Sequence, residues 1–309
     1  MLQPFAVTSA VLEAYRRYIR SSFPLRDPTL DAAREELIDS RLLWAEPFVA
    51  LARPGTEGPR IDSLTDQLCA ATRELPWGFE ELFIHQAQAI GRLVRTPSHS
   101  PENTLVLSGT GSGKTESFLI PIIDACLRQP GPGVRALLIY PMNALANDQL
   151  KRLNELLAGC PQVTYGRYTG DAPDTDAGDR RRSPRPPDSP ANLRWSRQAM
   201  RDDPPNLLLT NYTQLEYILL RGKDAEIFRH GAPWYVVVDE IHLFSGVLGA
   251  EVACLLRRLR QHVGVGPRDL AFVGTSATAG NQAERGRLLT FASRFFGSPF
   301  SDEAAIAEV

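Results

Sequence analysis

The chain is poor in lysine, cysteine and long apolar runs, and each shortage excludes something. Lysine occurs three times, at Lys114, Lys151 and Lys223, against 31 arginines. Codon bias toward arginine accounts for that ratio, and the two side chains are not chemically interchangeable. A lysine kept at a position whose chemistry needs one therefore stands out. The four cysteines, Cys69, Cys126, Cys160 and Cys254, have no CxxC spacing, which excludes a zinc ribbon and a disulfide framework and reads as small buried apolar residues in a reducing compartment. No uncharged apolar stretch reaches the roughly 18 residues of a membrane span. The first residues carry no basic region ahead of an apolar core, so no secretory signal is expected. Excess charge is also missing: 34 basic against 36 acidic residues give a net charge of −2, so nucleic-acid binding would have to come from local patches.

What is present is globular: 43% hydrophobic and 23% charged residues over 309 positions exclude a wholly disordered chain and suit one large α/β domain with an appendage. Val11, Leu12, Tyr15, Ile19 and then Leu37, Leu42 and Leu43 recur at helical spacing, punctuated by Pro24, Pro28, Pro47 and Pro54. Residues 1–80 read as a helical N-terminal appendage. Residues 81–309 alternate short apolar strands (103–109, 136–141, 162–170, 206–210, 234–240, 270–277) with amphipathic helices (115–128, 143–159, 212–221, 248–263, 281–296). That rhythm predicts a parallel sheet covered by helices on both faces, with ligands beyond the carboxyl ends of its strands. Residues 171–205, rich in Arg, Pro and Asp, interrupt it as a loop insertion.

Two motifs carry chemistry. Ser108-Gly-Thr-Gly-Ser-Gly-Lys-Thr115 lies between a strand and a helix, as a phosphate-binding loop does, with Ser108 where the strict pattern has Gly. Gly109, Thr110, Gly111, Ser112 and Gly113 would turn backbone N–H groups toward a phosphate chain, and the new helix adds its N-terminal amides. Lys114 would reach the β- and γ-phosphates and the Thr115 hydroxyl would hold Mg²⁺. At the end of the most hydrophobic strand stand Asp239 and Glu240, a carboxylate couplet that cannot face a core unpaired. Asp239 is assigned to the Mg²⁺ shell and Glu240 to the base that orients and deprotonates the attacking water. ATP and Mg²⁺ are the expected cofactors.

The surrounding segments narrow the reading. Phe83-Ile-His-Gln86, Tyr140-Pro-Met-Asn-Ala-Leu-Ala-Asn-Asp-Gln149, Tyr168-Thr-Gly-Asp171, Leu209-Thr-Asn-Tyr212, Asp239-Glu-Ile-His242 and Thr275-Ser-Ala-Thr278 stand in the order of the Q motif and motifs Ia to III of superfamily 2 helicases. The chain resembles the first RecA-like lobe of a DEAD/DEAH-box-type helicase. The wording of 140–150, 210–221 and 239–260 is similar to the bacterial branch of MrfA-like repair helicases and of the large helicases of the DISARM and Druantia defence systems.

The resemblance implies that Gln86 contacts adenine and that His242, Ser276 and Thr278 couple the nucleotide to the nucleic-acid path. It also implies that Asn143, Thr169, Gly170 and Thr210 face a sugar-phosphate backbone, which small polar groups and amides can hold without reading sequence. It implies an ATP-dependent DNA helicase or translocase of the bacterial cytoplasm, in anti-phage defence or DNA repair. Expected partners are DNA rather than RNA, a second RecA-like lobe in cis or in trans, and other defence or repair subunits, with no membrane. No stretch of 279–309 resembles the second lobe's motifs or its arginine finger. An RNA helicase lobe, and a nucleotide-gated scaffold that docks a partner with little catalysis, remain alternatives.

Overall fold

A computed structural model describes residues 4–40, 55–109, 111–178, 182–266, 269–277 and 282–308. The chain divides into two compact units, Met1–Pro54 and Gly55–Val309.

The first unit contains helices α1 (Pro4–Ser22) and α2 (Pro28–Asp39). Asp27 caps α2, accepting from Thr29 N and Leu30 N at 2.8 and 3.2 Å, and Pro28 sits at the first helical position, where its missing N–H costs nothing. Arg20 pairs with Glu35 at 2.8 Å, tying the two helices together.

The second unit begins earlier than the expected boundary near residue 80. Strand β1 (Glu57–Arg60) pairs antiparallel with β2 (Glu81–Phe83), and helix α3 (Ala70–Arg73) lies between them in sequence. Leu68, Trp77 and Leu82 are buried in the same core as the main sheet, so residues 55–80 belong to the lobe and not to the appendage. Short segments with few apolar positions carry little periodicity, and this piece therefore escaped the sequence reading.

The remaining elements follow in order: α4 (Ile84–Leu93), β3 (Thr104–Leu107), α5 (Lys114–Arg128), β4 (Ala136–Ile139), α6 (Asn143–Leu156), β5 (Tyr165–Tyr168), β6 (Leu193–Arg194), α7 (Arg197–Asp202), β7 (Leu207–Thr210), α8 (Tyr212–Leu220), α9 (Gly222–Ala225), β8 (Tyr235–Val238), α10 (Gly246–Val263), β9 (Ala271–Ser276), α11 (Gln282–Phe296) and β10 (Ala305–Ala307). Eight strands form one parallel sheet in the order β10-β3-β9-β8-β4-β7-β5-β6. This is a RecA-like lobe. The alternation of β8 shows why both faces are covered: Tyr235 and Val237 join one core cluster, Val236 and Val238 the other. Such strands read as unbroken apolar runs because neither face meets water.

Two strands were not anticipated. The expected loop 171–205 supplies the edge strand β6 and helix α7, and Ala305–Ala307 adds the opposite edge. The order of the sheet matters more. The strand preceding the glycine loop, β3, is separated from the strand preceding Asp239, β8, by β9 alone. The carboxyl ends of β3, β9 and β8 therefore converge on one crevice.

Candidate nucleotide and nucleic-acid site

The glycine loop leaves β3 and closes at Gly113, whose φ of 75° is left-handed, as is that of Gly111 at 82°. A Cβ on Gly113 would stand 2.1 Å from Gln86 Nε2, so glycine is required there on steric as well as dihedral grounds. Gln86 is buried and spans the junction: its Nε2 donates to Gly113 O at 3.0 Å and its Oε1 accepts from Phe83 N at 2.8 Å. Both ends of its amide are thus engaged with the loop and with the start of α4, and an adenine contact would exchange one of those bonds. His85, also buried, places Nε2 3.1 Å from Ser112 O, and burial lowers its pKa. Ser112 Oγ donates to Ser108 Oγ and to Gly109 O, each at 2.7 Å, so Ser108 serves the loop as a hydroxyl bridge where the strict pattern has glycine. Gly109 N donates to Glu308 Oε2 at 3.0 Å, a partner that no sequence pattern announced. Thr110 lies outside the described residues.

Lys114 opens α5, and its Nζ lies 3.0 Å from Glu240 Oε1. The phosphate-binding lysine and the second residue of the carboxylate couplet, 126 positions apart, are in direct contact. Both are largely shielded from solvent, with side chains 10% and 18% exposed, so a low-dielectric pair is formed that an entering anion would have to open. Thr115 follows on the first turn of α5.

Asp239 and Glu240 are held by a residue of the intervening strand. Thr275 donates its hydroxyl to Asp239 Oδ1 and accepts from Glu240 N at 3.0 Å. Burial raises the Asp239 pKa most, and the Thr275 hydrogen bond works against that shift. Glu240 is the one non-glycine among the described residues with positive φ, at 52°. A long side chain in the left-handed region is uncommon and strained, and such outliers concentrate at working sites. His242, exposed on the turn that follows, places Nδ1 3.3 Å from Glu240 Oε2 and 3.2 Å from Ser276 Oγ. Ser276 O in turn accepts from Ser108 N at 3.2 Å. The segment Thr275-Ser276 consequently touches the couplet, the histidine and the glycine loop. Thr275 was quoted in a motif without a role, and its role appears only in the fold. Thr278 lies outside the described residues.

The four residues expected to face nucleic acid behave differently from one another. Asn143 is exposed at the start of α6 and accepts from Asn211 Nδ2 at 2.7 Å. Thr169 and Thr210 are fully buried, which corrects the expectation of outward hydroxyls. The Thr169 hydroxyl donates to Asp171 at 2.6 Å, and that of Thr210 donates to Tyr168 O at 2.7 Å. Strand ends buried on both faces satisfy their hydroxyls internally. Gly170 is half-buried, and Arg182 and Arg197 donate to its carbonyl at 2.8 and 3.1 Å. The arginines of the insertion thereby fold back onto this strand end. Among the cysteines, Cys126 and Cys160 are buried, with the Cys126 thiol pushed up to about 12 by burial, whereas Cys254 is exposed, against expectation.

The family model of the DEAD/DEAH box helicase matches residues 84–285, which takes in both motifs and the strand between them. The chain belongs to the DEAD/DEAH box helicase family. It is 27% identical to the Druantia protein DruE of Escherichia coli (strain UMEA 4076-1), over 87% of this chain and 20% of that protein. It is 28% identical to the uncharacterized ATP-dependent helicase YprA of Bacillus subtilis (strain 168), over 79% of this chain and 28% of that protein. Among solved structures, that of the helicase MrfA bound to DNA and AMPPNP resembles it with a TM-score of 0.56 and 25% identity, covering 89% of this chain and 34% of that one. The chain thus spans about a fifth to a third of the length of these relatives. No helix among the described residues is long and apolar enough to cross a membrane.

Proposed function

We propose that this chain is the N-terminal motor lobe of an ATP-dependent DNA helicase or translocase of the bacterial cytoplasm, serving anti-phage defence or DNA repair. The observation that carries the reading is the convergence of Lys114, Glu240, Asp239 and Thr275 across β3, β9 and β8. DNA as the track is supported by MrfA, solved with DNA and AMPPNP, and the defence role by DruE.

In this reading the triphosphate enters the glycine loop and Lys114 leaves Glu240 for it. Glu240 is then free to orient and deprotonate the attacking water, and its strained backbone aims the carboxylate toward the loop. Asp239 and the Thr115 hydroxyl would hold Mg²⁺. A shielded carboxylate beside a hydroxyl is an oxygen donor set that suits a hard cation, and the raised Asp239 pKa marks a charge lacking compensation. When bound, the metal neutralises charge on the transferring phosphoryl group. His242 and Ser276 sit between the couplet and the loop, where a change at the phosphate would be felt. Exposed Asn143, with backbone groups around Thr169, Gly170 and Thr210, would meet a sugar-phosphate backbone, Gly170 after release by the insertion's arginines.

The test has two arms. Calorimetry with Mg²⁺ and a non-hydrolysable ATP analogue should show binding, and Glu240→Gln should keep binding while hydrolysis falls at least a hundredfold, as loss of a general base predicts. Matched DNA and RNA oligonucleotides should compete in favour of DNA. Absence of nucleotide binding, or tighter RNA binding, would count against the proposal.

A further inference from the structure

Glu116 is the third residue of α5, directly after Lys114 and Thr115, and it is 8% exposed. Its Oε1 is paired with the Arg152 guanidinium, contributed by α6. Its Oε2 is sealed from solvent and has no hydrogen-bond donor. A buried carboxylate oxygen without a donor is costly, and native structures rarely leave one so unless a ligand completes it. The direction of that oxygen is defined: a Cβ built on Gly113 would lie 3.2 Å from Glu116 Oε2 and 2.1 Å from Gln86 Nε2. A donor, the Gln86 amide, and an acceptor, the Glu116 carboxylate, therefore converge on the same glycine of the phosphate loop.

We infer that Glu116 selects the purine: its Oε2 accepts a hydrogen bond from the 6-amino group of adenine and rejects a 6-oxo purine. The inference rests on the nucleotide-site reading above and names which base that site takes. Adenine presents an acceptor at N7 beside a donor at N6, whereas guanine presents two acceptors, N7 and O6. An ionised carboxylate only accepts, so O6 set against Oε2 would leave two acceptors facing each other and neither satisfied. The phosphates carry no donor that could fill this place. Arg152 acts as a positioning residue. It holds Oε1, which fixes the aim of Oε2, and it compensates a carboxylate that would otherwise stand unpaired beside a triphosphate.

The test is equilibrium binding of Mg²⁺ complexes of ATP, GTP, 2′-deoxy-ATP and purine riboside triphosphate, which has hydrogen at position 6, to the 309-residue chain. The wild type should bind ATP at least tenfold more tightly than GTP and purine riboside triphosphate, and equally to 2′-deoxy-ATP. In Glu116→Gln the amide can turn its NH₂ toward O6, so the ATP-to-GTP ratio should fall at least tenfold. Arg152→Ala should weaken all four ligands together. An unchanged ratio in folded Glu116→Gln overturns the inference, as does a preference that follows the sugar hydroxyl and not the 6-substituent. If Glu116→Gln does not fold, Gln86→Ala decides: a 6-amino preference that survives it belongs to Glu116, and one that vanishes belongs to Gln86 and sinks the inference. Binding of ATP and GTP alike would defeat this inference and leave the nucleotide site standing, whereas binding of none of the four would remove both.

Discussion

At the scale of single residues, the site is built from groups that the fold holds at a cost. Asp239 is the clearest case. Burial disfavours its charged form and lifts its pKa in the folded state, so the native protein retains a proton that the unfolded chain releases. Stability contributed at this position is accordingly lost as pH rises from the ordinary carboxylate range to the elevated folded value, and it stays lost above that. Asp239→Asn should therefore raise the melting temperature at neutral pH, with an advantage that shrinks as the pH is lowered toward 4. The amide oxygen can still accept from Thr275. The same variant should lose the extra stabilisation that Mg²⁺ with a nucleotide gives the wild type, and thermal melts across pH with and without ligand check both halves. The couplet itself was legible in the sequence, because two adjacent carboxylates at the end of an apolar strand have few structural uses. Thr275, Glu116 and Glu308 were not. Threonine and glutamate are common types without motif meaning, and their importance comes from burial and from partners far away in the chain.

At the scale of elements, the strand–helix alternation was readable wherever a strand is buried on both faces and at least four residues long. The edges were not, because β6 and β10 are two and three residues long and depend on neighbours rather than on their own pattern. The insertion shows how such an edge is secured. Asn192 donates to Leu157 O, Cys160 O and Val163 O at 2.9–3.0 Å, and Arg194 pairs with Asp203 at 2.5 Å. Gly166 in β5 faces this layer with no room to spare: a Cβ there would lie 2.8 Å from Arg194 O and from Met200 Sδ. The methionine could yield, but the backbone carbonyl belongs to the strand paired with β5. Gly166→Ala should thus separate β6 and α7 from the sheet at about 1–3 kcal/mol, the usual cost of overpacking. A lowered melting temperature, with faster proteolysis in 182–205 than elsewhere, is the expected outcome. Neither change should accompany Gly222→Ala, where nothing lies within 4 Å.

At the scale of the molecule, the division at residue 54 and the convergence of β3, β9 and β8 belong to different units. Every residue in the nucleotide geometry, from Gln86 to Glu308, lies within Gly55–Val309. A chain starting at Gly55 should therefore fold cooperatively and keep the nucleotide affinity of the full 309 residues within about twofold. Turnover is a separate matter. The crevice offers a base, a lysine and carboxylates, but among the described residues no arginine is paired with Lys114, Asp239 or Glu240, and phosphoryl transfer without a transition-state arginine is slower by roughly 10³–10⁵. The relatives are three to five times longer than the stretch matched here, which leaves ample chain for a second lobe to deliver that charge. Single-turnover hydrolysis by the 309-residue chain should be slow and scarcely stimulated by DNA, while the same Glu240-dependent reaction in a chain extended through the region its relatives possess should rise by orders of magnitude. Fast, DNA-stimulated turnover by the 309 residues alone would show that this lobe needs no arginine from outside, and the division of labour argued here would fail.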